Sequence, residues 1–176
     1  MITFYRLAER AASWAGKIGA FCALLAGLFT CLDIAIRSFG GQGILGTVDI
    51  TQLMIVGCAF LTIPYGFMTE SHVSVDIVTT RLPLRGRALC RAFSALLGGV
   101  LMLAIGWFGI GQAQTVAMMG DKSQTIGLPM IWFWYPLLAG AFFTTALILL
   151  IVLRHLAVAV TGREVIVPVE QKAEVL

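Results

Sequence analysis

Charged residues are scarce in this sequence of 176 residues. Asp, Glu, Lys and Arg together make up 12% of the chain, whereas hydrophobic residues make up 59% and the mean hydropathy is +0.94. About a quarter of the residues in a typical soluble domain are charged. A chain with half that charge could not cover a globule of its size with polar surface. The composition therefore excludes an ordinary soluble enzyme, a disordered chain and a nucleic-acid binder.

Cysteine and histidine are few, and their positions are poor for cofactor chemistry. The four cysteines form no C-x-x-C pair, and three lie inside apolar runs, where packing explains them best. His72 and His155 each follow an apolar run, whereas a bis-histidine haem site needs two imidazoles facing each other between the helices. The sequence therefore predicts no catalytic residue, no cofactor and no metal ion.

Long apolar runs dominate what is present. They cover about residues 14–36, 50–68, 92–111 and 131–153. A helix needs about 20 apolar residues to cross the ~30 Å hydrocarbon core, and barrel strands would instead show alternating segments of about ten residues. We therefore expect an all-α integral membrane protein, with four transmembrane helices in a single domain and a loose C-terminal tail over about 162–176.

The basic residues predict the orientation. Ten of the twelve lie before the first apolar centre, between the second and third runs, or after the fourth. The other two, Arg37 and Lys122, lie in the remaining connections. Basic residues are enriched on the cytoplasmic side, so both termini and the 70–91 segment are predicted there. The 37–49 and 112–130 segments are then predicted to face outward.

The N-terminal residues before the first span have their own pattern. Apolar Phe4, Leu7 and Ala11 follow helical spacing, while Arg6 and Arg10 fall on the opposite face. This pattern favours a short amphipathic lead-in helix at the membrane interface rather than a cleaved signal peptide. A plain cytosolic extension of span one explains the residues equally well.

Ionisable residues are missing from the centres of all four runs. Asp33, Arg37 and Asp49 lie near the outer ends of spans one and two. Secondary transporters bind substrate and coupling ion near the bilayer midplane, so this chain is not expected to move a charged solute by itself. The three residues could form a pairing network, within the chain or with a partner subunit, or they could reach the surface independently.

Small residues recur every four positions along span one. The series is Ala15, Gly19, Ala23, Gly27, Cys31 and Ala35. Small residues let a second helix approach closely in a membrane. The stripe therefore predicts helix packing, either within the four-helix domain or against another membrane protein.

The 70–91 segment combines a polar motif with basic residues. His72 and Asp76 alternate with valines, and Leu82-Pro83 follows, with Pro83 suited to the first turn of a helix. Arg81 directly precedes this pair, and Arg85, Arg87 and Arg91 follow it. A basic helix start of this kind fits an anionic inner leaflet, so membrane lipid is an expected partner.

Three ordered motifs resemble one transporter family. They are Arg37 followed by Asp49, the His72-Val73-Ser74-Val75-Asp76 segment with Leu82-Pro83, and the Ser123-Gln124-Thr125-Ile126-Gly127-Leu128-Pro129 run before Trp132. Together with the four spans, they make residues 14–155 similar to the small membrane subunit of tripartite ATP-independent periplasmic (TRAP) transporters.

The resemblance implies a function and two protein partners. In such systems a periplasmic binding protein captures an organic acid, and a large membrane subunit imports it using an ion gradient. The small subunit is non-catalytic, scaffolds the large subunit in the bacterial inner membrane and helps to dock the binding protein. Gln42, Asp121 and Lys122 on the outward segments are then docking candidates, while His72, Asp76 and Pro83 would organise the cytoplasmic turn.

Two alternatives come from other functional classes. The first is the membrane anchor of a respiratory oxidoreductase, which would need axial histidines or a quinone pocket within the spans. The second is a small multidrug exporter, a class that relies on a membrane-embedded carboxylate. Asp33 and Asp49 lie too near the outer boundary to suit that role.

Overall fold

A computed structural model describes the backbone of residues 2–69 and 84–161, and the side chains of 5–69 and 86–160. Its helices are α1 (Ile2–Ser38), α2 (Thr47–Met68), α3 (Leu84–Met119) and α4 (Ile131–Thr161). Each contains one predicted span, and all four are long and apolar enough to cross a membrane. The predicted all-α, four-helix class is confirmed. The tail at 162–176 lies outside the described residues.

Glycines stop the two longest helices at the same end of the molecule. Gly40 follows α1 with φ +80°, and Gly120 follows α3 with φ +68°. This left-handed backbone is common just after a helix and disfavours residues with a Cβ. After α1, the Gly41 N–H donates to the Ile36 carbonyl at 3.0 Å, which satisfies one of the last carbonyls of the helix.

The helices lie side by side in the order α1–α2–α4–α3. In the α1–α2 pair, an added Cβ on Gly19 would lie 3.0 Å from the Cys58 carbonyl oxygen, so the two backbones nearly touch. In the α2–α4 pair, Gly140 lies against the Phe60 backbone in the same way. The order places α2 and α4 at the centre and leaves α1 and α3 at the two sides.

The face that α1 turns towards the other helices repeats every seven residues. Its buried positions include Tyr5, Ala12, Gly19, Ala26 and Asp33. A seven-residue step drifts by only about 20° around a helix, whereas a four-residue step drifts by about 40°. A straight line of contact along α1 therefore includes Gly19 from the four-residue series. Its other buried positions, such as Ala12 and Ala26, lie outside that series.

The core lies at the end of the molecule that carries the N-terminus. It is built from all four helices, by Tyr5 and Ala12, Met68, Ala95, and Leu147, Ile148 and Ile151. Tyr5 and Ala12 belong to this core because α1 is one continuous helix from Ile2, whereas Leu7 and Ala11 of the predicted apolar face of the lead-in are exposed. We call this the terminus end, and we call the opposite end, which carries the 39–46 and 120–130 connections, the paired-loop end.

Candidate functional site

Asp33 holds the first connection of the paired-loop end. The side chain is buried, and one carboxylate oxygen accepts a 2.6 Å hydrogen bond from the Ile44 N–H. The other oxygen pairs with Nε of Arg37 at 2.9 Å, one helical turn further on. Asp33 therefore ties the 39–46 connection back to α1, while the Arg37 side chain remains 62% exposed.

Asp49 links the second connection to α2. Its Oδ2 accepts hydrogen bonds from the Ser123 hydroxyl at 2.5 Å and from the Ile126 N–H at 3.0 Å. Asp49 is the third residue of α2 and is buried. Negative charge at the start of a helix is favourable, because the first N–H groups and the helix dipole are positive there. One carboxylate therefore stabilises its own helix and a segment 74 residues away in sequence.

The 120–130 connection is also closed by hydrogen bonds of its own. The Ser123 N–H donates to the Leu128 carbonyl at 2.8 Å, and the Leu128 N–H donates back to Ser123 Oγ at 3.1 Å. The Met130 N–H donates to the Asp121 carbonyl at 2.9 Å. Ser123 thus donates its hydroxyl to Asp49 and accepts from Leu128, so it joins the loop to α2.

The two connections also touch directly. Gly46 has φ +90°, and an added Cβ there would lie 3.0 Å from Cδ1 of Ile126. A larger residue at this position would be strained by its backbone conformation and would have to displace the Ile126 side chain. Together with Asp49, this contact makes the two connections one surface rather than two separate loops.

The predicted docking residues lie on that surface. Gln42 belongs to the 39–46 connection, and Asp121 and Lys122 belong to the 120–130 connection; all three are exposed. Phe39 and Leu45 add apolar area beside them, with 92% and 80% of their surface exposed. The surface therefore offers charge, an amide and apolar contact on one hydrogen-bonded framework.

The predicted packing residues on α1 divide into two groups. Gly19 is buried against Cys58 and Thr62 of α2. Ala23 and Gly27 are exposed, and an added Cβ on Gly27 would meet no atom within 4 Å. Thus α1 packs tightly against α2 near its middle, at Gly19, but leaves open space at Gly27, nearer the paired-loop end.

The turn motif of His72, Asp76 and Pro83 lies outside the described residues. At the terminus end, Arg154 of α4 contacts α1: its Nη1 donates a hydrogen bond to the Tyr5 hydroxyl at 2.6 Å. His155 beside it is buried. This contact between α1 and α4 was not predicted, although an Arg following span four and a Tyr preceding span one are signals for it.

The chain matches one protein family over most of its length. The family model for the DctQ component of tripartite ATP-independent periplasmic transporters matches residues 26–162. The chain belongs to this family. The match covers the 120–130 connection and all of α2 and α3, and it confirms the resemblance carried by the three motifs. A search of curated proteins finds no match.

Membership of the DctQ family determines the location and the general function. The chain is a multi-pass protein of the bacterial inner membrane and the small component of a transporter. Membership also implies assembly with a large DctM subunit and a substrate-binding protein. The family is one of transporter components, which gives no support to a respiratory membrane anchor.

Proposed function

We propose that this chain is a non-catalytic small permease subunit that scaffolds the large transport subunit and helps to dock the periplasmic binding protein during ion-coupled uptake of an organic acid. The DctQ match supplies the class of system. The positions of Asp33 and Asp49, at the paired-loop end rather than mid-span, support a role beside the translocation path. Substrate and ion would then bind in the large subunit.

The sides of the helix row suit a scaffold. On α1, Phe21 and Leu24 are 59% and 64% exposed; on α3, Trp107 and Phe108 are 70% and 76% exposed. Lipid tails are as apolar as these side chains, so helices associate in membranes through close packing rather than through the hydrophobic effect. Either side could therefore be covered by helices of the large subunit.

The scaffold role is tested by recovering the chain from its native membrane. After extraction in a mild detergent, we expect a large multi-span permease to co-purify in a fixed ratio. An unrelated four-span membrane protein carrying the same affinity tag is the control. A chain that purifies as a stable monomer without any permease would contradict the proposal.

The Asp49 link is the observation that carries the docking role. Binding orders the loops at an interface, and a preformed surface loses less entropy on association. The hydrogen bonds of Asp49 and Ser123 hold the connection that carries Asp121 and Lys122, and the bond from Ile44 to Asp33 holds the connection that carries Gln42, before any partner arrives. With the termini in the cytoplasm, as the basic residues predict, this framework faces the periplasm.

The docking role is tested by exchanging two neighbouring charges. The double variant Asp121→Lys, Lys122→Glu keeps the net charge and leaves the Asp49 bonds intact. We expect weaker association with the binding protein and slower uptake, because rim charges mainly change association rates. The single variant Lys172→Glu, in the predicted cytoplasmic tail, is the control. Unchanged association for the double variant would remove these residues from the interface.

We also propose that His72, Asp76 and Pro83 organise the cytoplasmic turn between α2 and α3 rather than bind substrate. The alternating polar residues and the helix-starting proline support this role.

A further inference from the structure

An open groove separates α1 from α2 near the paired-loop end. Its α1 wall is formed by Ala23, Gly27, Thr30 and Cys31, and its α2 wall includes Thr51 and Ile55. The groove has a volume of about 420 Å³. It exists because Gly27 has no side chain and Ala23 only a methyl group, so nothing from α1 fills the space beside α2.

The groove lies within the membrane-spanning part of the molecule. From Ala23 to Cys31 it extends about 12 Å along α1, since each residue adds about 1.5 Å. Its walls are largely apolar. A space of this depth, open at the side of the helix row, faces hydrocarbon rather than water, so an apolar chain is its natural occupant.

Arg37 follows the groove along α1; its side chain is largely exposed and its guanidinium packs against Gly43 of the 39–46 connection. Arg37 follows Thr30 by seven residues, which places it on the same face of α1 about 10 Å further towards the paired-loop end. The headgroup region is about 5–8 Å thick on each side of the hydrocarbon core. Arg37 therefore lies at the depth of a lipid phosphate when an acyl chain lies between Thr30 and Ala23.

The chemistry of Arg37 suits a phosphate. Its described ion pair uses Nε, and the side chain is 62% exposed. The terminal Nη groups can therefore donate to a phosphate oxygen while Nε stays with Asp33, and guanidinium–phosphate bonds are charge-assisted. The wall adds a second polar group, because Thr51 Oγ1 is buried and makes no hydrogen bond to any described residue. A lipid ester carbonyl would supply the acceptor that this hydroxyl lacks.

We propose that this groove binds one phospholipid, with an acyl chain along Ala23, Gly27 and Thr30 and the phosphate at Arg37. A partner helix fits less well, because the open stretch spans only about two turns of α1. Lipid binding in this groove does not depend on the docking role and would occur even if the binding protein engaged another surface.

Native mass spectrometry of the purified complex tests the site. In phosphatidylglycerol nanodiscs we expect one retained phospholipid per chain. Gly27→Trp fills the groove and should lower retention at least about tenfold. Gly111→Trp on α3 is the matched control, since Gly111 is also exposed with nothing within 4 Å of an added Cβ. Equal retention by both variants would overturn the proposal.

A second variant separates the headgroup contact from the acyl contact. Arg37→Gln should abolish the preference for phosphatidylglycerol over diacylglycerol, which has no phosphate, while Lys122→Gln should keep it. An unchanged preference in Arg37→Gln would overturn the assigned phosphate contact. Loss of the large subunit from Gly27→Trp with lipid retention unchanged would show that a partner helix fills the groove, and would also overturn the proposal.

Discussion

At the scale of single residues, Asp49 links the 120–130 connection to α2. It is the acceptor for a hydroxyl and a backbone N–H from the other connection, and it is itself buried. A buried donor that loses its acceptor costs about 1–3 kcal/mol, more than the hydrogen bond itself contributes. The attachment of the 120–130 connection to α2 therefore depends strongly on one carboxylate.

Asp49→Ala should destabilise this end of the molecule by about 1–3 kcal/mol, because the Ile126 N–H and the Ser123 hydroxyl lose their acceptor. We expect a lower thermal unfolding midpoint and faster trypsin cleavage after Lys122, the basic residue of the 112–130 segment. Gln42→Ala, an exposed substitution on the neighbouring connection, is the control. Cleavage at the control rate would mean that Asp49 does not hold the loop.

At the scale of helices, close approach depends on where a Cβ is absent. Gly140 of α4 faces the Phe60 backbone, where an added Cβ would lie 2.7 Å from the carbonyl carbon. Real Cβ atoms do not approach a backbone so closely, so the two central helices would have to separate. The α2–α4 contact joins the two helix pairs, and its loss would loosen the whole row.

Gly140→Val should lower the free energy of unfolding by about 1–3 kcal/mol, the usual cost of overpacking a tight contact. Gly111→Val places the same side chain on α3 in open space and is the matched control. Thermal unfolding in detergent measures both variants. Equal losses would indicate that valine acts through helix propensity, and the α2–α4 contact would then not be the cause.

At the scale of the whole molecule, the basic residues predict which end of the molecule lies on which side of the membrane. The terminus end carries Arg6, Arg10 and Arg154, whereas the paired-loop end carries Arg37 and Lys122. Because translocating basic residues is unfavourable, the terminus end is predicted in the cytoplasm. The proposed docking surface can meet a periplasmic protein only in this orientation.

Single cysteines test the orientation after the four natural cysteines are replaced. A membrane-impermeant maleimide should label Gln42→Cys and Lys122→Cys in intact spheroplasts. It should label Lys172→Cys only after permeabilisation. The reversed pattern would place the paired-loop end in the cytoplasm and rule out its docking role.

Much of the architecture follows from local sequence. An α-helix satisfies its own backbone hydrogen bonds, so a run of about 20 apolar residues can cross the bilayer as a helix without help from neighbouring segments. The four spans could be predicted for this reason, and each lies inside a described helix. The lead-in residues were open to two interpretations because amphipathic spacing does not reveal whether a helix continues into the next segment.

The pairing of these helices was decided only by the tertiary structure. Span helices are apolar all round, so periodicity does not mark the face that meets a neighbour. The four-residue stripe contained Gly19, Ala23 and Gly27 alike, yet the crossing geometry buries Gly19 and leaves Gly27 open.

The bond between Asp49 and Ser123 spans 74 residues. The number of membrane crossings could be read from the sequence, because each crossing depends on the composition of one continuous segment. The contacts between loops and helices could not, because they join segments that are distant along the chain and depend on how the helices pack.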